Sequence, residues 1–257
     1  MRKRVLCLSL VLLSTAPQAS AAPPPCNGAP VDASLTTDAR AEQLTLRAFS
    51  CVREGKTVQA IALFSELIGI DRNNGEAYLN RGSTYVRAHQ IDAGLADYTS
   101  AIDLAPDRFE GWYNRGAAQL AARRYDEGIA DLAEAIRLKP DLAHAYCNRG
   151  LGHLRKKEHA MARADFDKGL ELEVGLPLCY LGRGEIHFAN GNDRSAVEDL
   201  TRGINLKPTA EALARRGNAY ERLGKRDKAL KDYKNALSLR PRWPEAEVGI
   251  VRLTQGQ

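Results

Sequence analysis

Residues 109–142 read FEGWYNRGAAQLAARRYDEGIADLAEAIRLKPDL, a stretch of 34 residues whose pattern recurs along most of the chain. An Arg-Gly pair and an aspartate mark each of five copies, and a proline follows in four of them. The glycines of these pairs lie 34, 34, 34 and 33 residues apart, and the aspartates repeat the same spacings. They are Gly82, Gly116, Gly150, Gly184 and Gly217, with Asp97, Asp131, Asp165, Asp199 and Asp232. A fixed period of this length is the signature of a repeat architecture.

Each period carries two helical stripes. Counting residue 109 as position 1, the first stripe occupies positions 4, 8 and 11, as at Trp112 and Gly116. The second stripe occupies positions 20, 24 and 27, as at Gly128 and Leu132. Both stripes follow the i, i+4, i+7 spacing of one face of an α-helix. Small residues at positions 8, 20 and 27 predict two helices whose backbones approach closely, and proline at position 32 ends the second helix.

The order of aromatic, glycine, alanine and proline positions resembles the tetratricopeptide repeat. The resemblance implies an all-α fold, a right-handed solenoid of about six helix-turn-helix repeats. The repeats are expected at 41–74, 75–108, 109–142, 143–176, 177–209 and 210–243. A capping helix and tail are expected at 244–257, and a Pro-rich flexible lead at 22–40.

The first 21 residues are typical of a cleaved signal peptide. Three basic residues, at 2–4, precede an apolar run at 5–13, and Ala19-Ser20-Ala21 forms an A-x-A cleavage site. The apolar run is shorter than the roughly 20 residues that a membrane helix needs. We therefore expect an exported, periplasmic protein with no membrane span after cleavage.

Most of the net positive charge of the chain lies in that leader. The formal net charge is +5, and removal of Arg2, Lys3 and Arg4 leaves +2. Binding to nucleic acid needs a surplus of lysine and arginine to neutralise phosphates. The small remaining charge argues against nucleic acid as a partner.

Four cysteines follow the leader: Cys26, Cys51, Cys147 and Cys179. An exported protein can form disulfides, and four cysteines allow three connectivities. Cys26–Cys51 and Cys147–Cys179 are the preferred pairs, because their members are near in sequence or lie in adjacent repeats. The sequence has no C-x-x-C motif and no Cys/His spacing suited to zinc, so neither a metal nor another cofactor is expected.

The sixth position of the first helix is asparagine in three consecutive repeats. Asparagine there resembles the ladder with which members of the family hold a peptide, because an amide both donates and accepts hydrogen bonds. The alternative is that these residues are simply solvated helix positions. The candidate peptide- or partner-binding residues are Asn80, Asn114, Asn148, Arg87, Tyr113, Arg155 and Asn218.

Other recurring polar residues favour structural roles. Arginine at position 7 and aspartate at position 23 recur in step, which predicts an Arg–Asp pair between helices. His153 and His187 occupy the packed position 11, which favours satisfied core histidines over catalytic ones. The sequence contains no hydrolase, metalloprotease or nucleotide-binding motif, so we do not expect an enzyme.

These patterns predict a non-enzymatic adaptor of the cell envelope. It would bind an extended peptide segment or a partner protein on the concave surface lined by the first helices. Two alternatives stay open: a structural scaffold that self-associates into a homo-oligomer, and a noncatalytic regulator of an envelope enzyme.

Overall fold

The computed structural model describes residues 24–28, 31–32 and 34–255, and this part of the chain consists of α-helices and connecting turns without a β-strand. It divides into two compact units, Met1–Pro140 (unit 1) and Asp141–Gln257 (unit 2). Unit 1 contains α1 (Thr37–Arg53), α2 (Thr57–Ile70), α3 (Gly75–Arg87), α4 (Ile91–Leu104), α5 (Phe109–Ala121) and α6 (Tyr125–Leu138). Unit 2 contains α7 (Ala143–Arg155), α8 (His159–Leu172), α9 (Pro177–Ala189), α10 (Asp193–Leu206), α11 (Ala210–Arg222), α12 (Arg226–Leu239) and α13 (Pro244–Gln255). The predicted signal peptide, residues 1–21, lies outside the described residues.

Consecutive helices pair within each unit. In unit 1, α1 packs on α2, α3 on α4 and α5 on α6, and each pair also contacts the next. In unit 2, α7 packs on α8, α9 on α10 and α11 on α12, while α13 lies against α12 and α11. First helices of neighbouring pairs also touch, as α3 touches α5 and α7 touches α9. This is the all-α helical-repeat solenoid class that the sequence predicts.

Side-chain caps fix the start of several helices. Thr36, Asn74 and Thr209 each accept a hydrogen bond from the backbone N–H three residues ahead, which satisfies one of the free donors of a helix N-terminus. Pro177 begins α9, where its missing N–H is of no consequence. The cap at Thr36 starts α1 at Thr37, so residues 37–40, which we expected to belong to the flexible lead, are helical.

Each helix pair closes around small residues and one large side chain. A Cβ added to Gly116 would lie 2.9 Å from Leu132 Cγ and 3.0 Å from the carbonyl oxygen of Gly128. Leu132 itself is fully buried, as are the residues at the same position of the other repeats. They are Tyr98, Phe166, Leu200 and Tyr233. The predicted close approach of the two helices is confirmed.

The segment at 24–28 is held against α1. Cys26 is buried and forms a disulfide with Cys51 of α1. Arg47 donates to the carbonyl oxygens of Cys26 and Gly28, and the Cys26 N–H donates to Glu54. This part of the predicted lead therefore covers one side of the first helix.

Candidate partner-binding surface

The recurring arginines and aspartates form bidentate pairs within each repeat, which confirms the predicted Arg–Asp pair. In each pair Nε and Nη2 of the arginine donate to the two carboxylate oxygens, at 2.7–2.9 Å. The pairs are Arg81–Asp97, Arg115–Asp131, Arg149–Asp165, Arg183–Asp199 and Arg216–Asp232. Every one of these aspartates is buried, so the pair joins the two helices of a repeat at a fixed register.

Four of these arginines also reach the second helix of the preceding repeat. Their Nη1 atoms donate to Ser65, Thr99, Asp167 and Thr201, at distances of 2.7–3.1 Å. Each of these guanidinium groups therefore joins three helices. We did not predict this contact, although the acceptors stand 34 residues apart or at a multiple of 34. The regular spacing of these four acceptors in the sequence is the signal from which the contact could have been predicted.

The hydrogen bonds with aspartate keep these arginines positively charged. The hydrogen bond with Asp97 raises the pKa of the Arg81 guanidinium, against the lowering effect of burial. The same cause raises the pKa of Arg115 beside Asp131. Arg81 also lies over the rings of Tyr78 and Tyr85, with its Cζ 5.6 and 5.8 Å from the ring centroids. These side chains are fully engaged in holding the helices together.

The three candidate asparagines lie at different depths. Asn80 on α3 is partly exposed, whereas Asn114 on α5 and Asn148 on α7 are only 1% and 2% exposed. Asn114 Oδ1 has no hydrogen-bond partner among the described residues, an arrangement that disfavours folding. Only Asn80 presents its amide at the surface.

The asparagine row ends in unit 2 because Phe166 needs the space. Gly182 occupies the sixth position of α9, and a Cβ there would lie 2.2–2.9 Å from the Phe166 ring. At the sixth position of α11, Arg215 lies over the Phe188 ring, with its Cζ 5.0 Å from the ring centroid. The chemistry of the sixth position therefore changes from amide to glycine to guanidinium within unit 2.

The remaining candidates divide into exposed, buried and engaged side chains. Arg87 on α3 is exposed and makes no hydrogen bond or ion pair with any described residue. Tyr113 is 1% exposed and belongs to the core of unit 1. Arg155 is exposed, with Nη1 3.8 Å from Glu185. Asn218 donates to Glu245 of α13 at 2.6 Å and accepts from the Tyr233 hydroxyl at 2.6 Å, so its amide is already engaged.

The histidines at position 11 have structural partners. His153 Nδ1 lies 2.7 Å from Glu158 Oε2, and His187 Nε2 lies 3.8 Å from Asp199. Among the described residues, no group of three potential metal ligands comes together. Likewise, no helix in the described ranges has both the length and the apolar character to span a bilayer.

The structure contains two disulfides, Cys26–Cys51 and Cys147–Cys179, which are the two pairs preferred from the sequence. The first lies in unit 1. The second lies in unit 2 and links the first helices of adjacent pairs, α7 and α9. The sulfur atoms of Cys147 and Cys179 fill the space beside Gly169, where a Cβ would come within 2.9 Å of both.

Comparison with solved structures shows the same fold in proteins of low sequence identity. PilF from Pseudomonas aeruginosa matches with a TM-score of 0.73 at 20% identity, over 82% of this chain and 97% of that one. PilW, described as a widely conserved type IV pilus biogenesis factor, matches with a TM-score of 0.71 at 19% identity, over 81% and 97%. YrrB, described as a TPR protein with an unusual peptide-binding site, matches with a TM-score of 0.55 at 18% identity, over 72% and 96%.

Sequence comparison agrees with the fold. No curated protein matches the chain significantly. Two family profiles do match, both described as tetratricopeptide repeat: one at 210–242, the other at 79–143 and 118–173. The matched segments contain four of the five Arg–Asp pairs, all except Arg183–Asp199. We conclude that the chain belongs to the tetratricopeptide repeat proteins.

Proposed function

We propose that this protein is an exported, non-enzymatic adaptor that binds an extended segment of a partner protein, with its main contacts on the α3 surface. The tetratricopeptide repeat fold is a module for protein–protein interaction. We propose in addition which surface binds, what it binds and where in the cell it does so. We define the α3 surface as Asn80 and Arg87 with the residues between them.

The observation that carries the proposal is the pair of uncommitted polar side chains on α3. Asn80 and Arg87 lie seven residues apart, so they share one helix face about 10 Å apart along the axis. Both are solvent-accessible, and neither is paired with a described residue. The amide can exchange two hydrogen bonds with a peptide backbone, and the guanidinium can bind a carboxylate bidentately.

Neighbouring polar residues on this face are already engaged, which makes Asn80 and Arg87 stand out. Glu76 accepts a hydrogen bond from Arg108 of the α4–α5 connection, at 3.0 Å. Ser83 is buried and donates to the Leu79 carbonyl while it accepts from the Tyr98 hydroxyl. A ligand that binds here therefore meets two available groups rather than a continuous row.

We assign Asn114 and Asn148 to packing, because their burial leaves no surface for a ligand to contact. Tyr113 has the same role in the core of unit 1. In unit 2, Arg155 is exposed but close to Glu185, and Asn218 is held by α13. Arg155 is thus the accessible candidate of unit 2.

Two observations support export. The first 21 residues have the composition of a signal peptide, and removal of such a leader accompanies passage out of the cytoplasm. The four remaining cysteines are all buried in disulfides, which form and persist in oxidising compartments. Residence in the periplasm accounts for both.

The test begins with peptides selected from a displayed random library on the wild-type protein. Binding of the selected peptides would be measured by fluorescence anisotropy with wild type and with Asn80→Ala/Arg87→Ala. Loss of a bidentate ionic contact and an amide pair should weaken binding about tenfold or more. Gln59→Ala/Arg137→Ala removes the same two groups from exposed positions on second helices of unit 1 and should leave binding within about twofold.

Asn114→Ala separates packing from recognition. Because Asn114 is buried, its removal should leave peptide affinity unchanged. Equal binding by the wild type and by Asn80→Ala/Arg87→Ala would contradict the proposed surface. Failure to select any peptide, together with a mass that rises with concentration, would favour the self-associating scaffold instead.

A further inference from the structure

We propose that the outer face of α12 is a second docking surface, and that it binds an acidic segment of a partner protein. The surface, which we call the lysine face, consists of Lys228, Lys231 and Lys234. It belongs to the second helix of a pair in unit 2, whereas the α3 surface belongs to a first helix in unit 1. The proposal stands independently of the function proposed above.

The three lysines form one continuous stripe. They follow one another at intervals of three residues, which places successive Cα atoms about 4.5 Å apart along the axis and within an arc of about 120°. All three are exposed. Asn235, Ser238 and, at the C-terminal end of α12, Leu239 are also exposed on this side of the helix, and its only exposed acid is Asp227 in the first turn.

The lysine face has one acid beside it, Asp227, which lies four residues before Lys231 and forms no ion pair with the three lysines. Lys231 and Lys234 form no ion pair with any described residue, and Lys228 lies over the Tyr220 ring, with Nζ 5.7 Å from the centroid. Several exposed basic residues on other second helices are paired along their own helix. Arg163 lies 3.6 Å from Asp167 on α8, and Arg137 lies 2.6 Å from Glu134 on α6.

This arrangement works against the helix that carries it. Like charges three or four residues apart destabilise a helix, and Lys231 has a lysine at that distance on either side. Lys228 and Arg226 also lie in the first turn of α12, next to the positive end of the helix dipole. A local cost of this kind, offset only by the contact of Lys228 with the Tyr220 ring, is typical of residues kept for binding. An acidic ligand would relieve both repulsions.

The composition of the face favours a protein over a membrane. Docking to a lipid surface through a helix normally combines basic residues with large apolar side chains that enter the bilayer. Along the lysine face the neighbouring exposed residues are Asn235 and Ser238, and a single large apolar residue, Leu239, is exposed at the C-terminal end of α12. A row of cations flanked by small polar residues matches a row of carboxylates, with each lysine placed to pair with one acid.

A second copy of the chain fits less well. Unit 1 carries exposed acids, yet Asp92 already accepts from Arg124 at 2.7 Å, and Glu134 from Arg137 at 2.6 Å. These two acids are therefore not free to pair with a lysine face. The occupant inferred here is therefore an acidic segment of another protein.

The test uses a labelled peptide of alternating glutamate and glycine, with a serine-glycine peptide of equal length as the uncharged probe. Binding to the disulfide-bonded protein would be followed by anisotropy at low and at high salt. Replacement of the lysine face in Lys228→Glu/Lys231→Glu/Lys234→Glu should weaken binding of the acidic peptide about tenfold or more. High salt should weaken binding to the wild type, because exposed charges are screened.

The matched control reverses the same number of positive charges elsewhere in unit 2. Lys157→Glu/Lys207→Glu/Arg242→Glu changes three exposed residues that form no ion pair with the described residues. It should keep the affinity within about threefold of wild type, since only long-range attraction is lost.

Three results would overturn the proposal. The first is equal weakening by the lysine-face variant and by the control, which would reduce the effect to net charge. The second is absence of binding to the acidic peptide by the wild type. The third is binding that appears only with vesicles of phosphatidylcholine and phosphatidylglycerol, which would make the lysine face a lipid contact. Circular dichroism of all variants would establish that they are equally helical.

Discussion

At the scale of single residues, the recurring arginine is the main polar connection between helices. Its guanidinium satisfies a buried aspartate on the second helix of its repeat and, in four repeats, a hydroxyl or carboxylate on the preceding repeat. Such a buried pair adds little net stability over a well-packed apolar pair, yet removal of one partner leaves an uncompensated charge. Its contribution is therefore to register, and its loss is costly.

Arg115→Ala tests this role. The change leaves the Asp131 carboxylate buried without its two donors, which should lower the free energy of unfolding by about 2–3 kcal/mol. The exposed pair Arg137–Glu134 supplies the control, because Arg137→Ala should change stability by less than about 0.5 kcal/mol. Urea unfolding followed by circular dichroism measures both. Equal effects of the two variants would show that the repeated arginine has no special structural role.

The turn between the two helices of each repeat needs a left-handed residue. Gly55, Gly191 and Gly224 supply it without strain, with φ of 73°, 76° and 69°. The remaining turns place His89, Arg123 and Lys157 at the same position, with φ of 62–64°. A residue with a Cβ is strained in this conformation. Each of these three turns therefore destabilises the folded state slightly, although its helices follow the same period of 34 residues.

Lys157→Gly should relieve that strain and raise the free energy of unfolding by about 0.5–1 kcal/mol. Its neighbour Lys156 has a φ of −82°, in the right-handed region. Lys156→Gly should therefore lower stability, because glycine there adds freedom to the unfolded chain and the change also removes the ion pair with Glu158. Thermal unfolding of the two variants in parallel decides the matter. A lower midpoint for Lys157→Gly than for wild type would exclude backbone strain at this turn.

At the scale of helix pairs, the sequence predicts packing well because the packing residues repeat. Glycine at position 8 and a large apolar residue at position 24 recur often enough to assign both helices and their contact. The glycine at residue 69 shows what the sequence pattern does not predict. Gly69 is also helical, yet a Cβ there would have no neighbour within 4 Å. Only the structure separates a glycine required by packing from one that merely lacks a side chain.

Gly116→Ala and Gly69→Ala should accordingly have opposite effects. At Gly116 the new methyl group would meet Leu132 and the Gly128 carbonyl, which should lower the free energy of unfolding by about 1–3 kcal/mol. At Gly69 alanine adds helix propensity in open space and should raise it by up to about 1 kcal/mol. Chemical denaturation of both variants against wild type gives the signs. A stabilising Gly116→Ala would refute the close approach of α5 and α6.

The candidate site was less predictable than the helices. Helical periodicity tells which side of a helix a residue occupies, but the depth of that side depends on the side chains of the neighbouring helices. Asn80 and Asn114 share a position in the period, yet Asn80 is partly exposed and Asn114 is buried. The engagement of Asn218 by Glu245 of α13 likewise depends on a helix outside the repeat pattern. Long-range contacts of this kind leave no periodic signal.

At the scale of the whole molecule, the described part of each unit contains one disulfide. Sequence reasoning could only prefer these pairs, because connectivity depends on which helices meet. The Cys26–Cys51 bond fixes the segment at 24–28 to α1, together with the Arg47 and Glu54 hydrogen bonds. The Cys147–Cys179 bond spans the first helices of two neighbouring repeats. Both bonds are buried, which shields them from reductants and suits a structural rather than a regulatory role.

The disulfide of unit 2 should be a large contributor to stability. Cys147 and Cys179 are 32 residues apart, and closing a loop of this length should stabilise the folded state by on the order of 3–4 kcal/mol through the entropy of the unfolded chain. Cys147→Ala/Cys179→Ala should therefore unfold at markedly lower urea concentration than wild type, while circular dichroism in water stays helical. Intact mass with and without reductant under denaturing conditions should show four hydrogens gained by wild type and two by the variant. Free thiols at these positions in protein recovered from the periplasm would contradict the assignment, since the bond would then be absent where it should form.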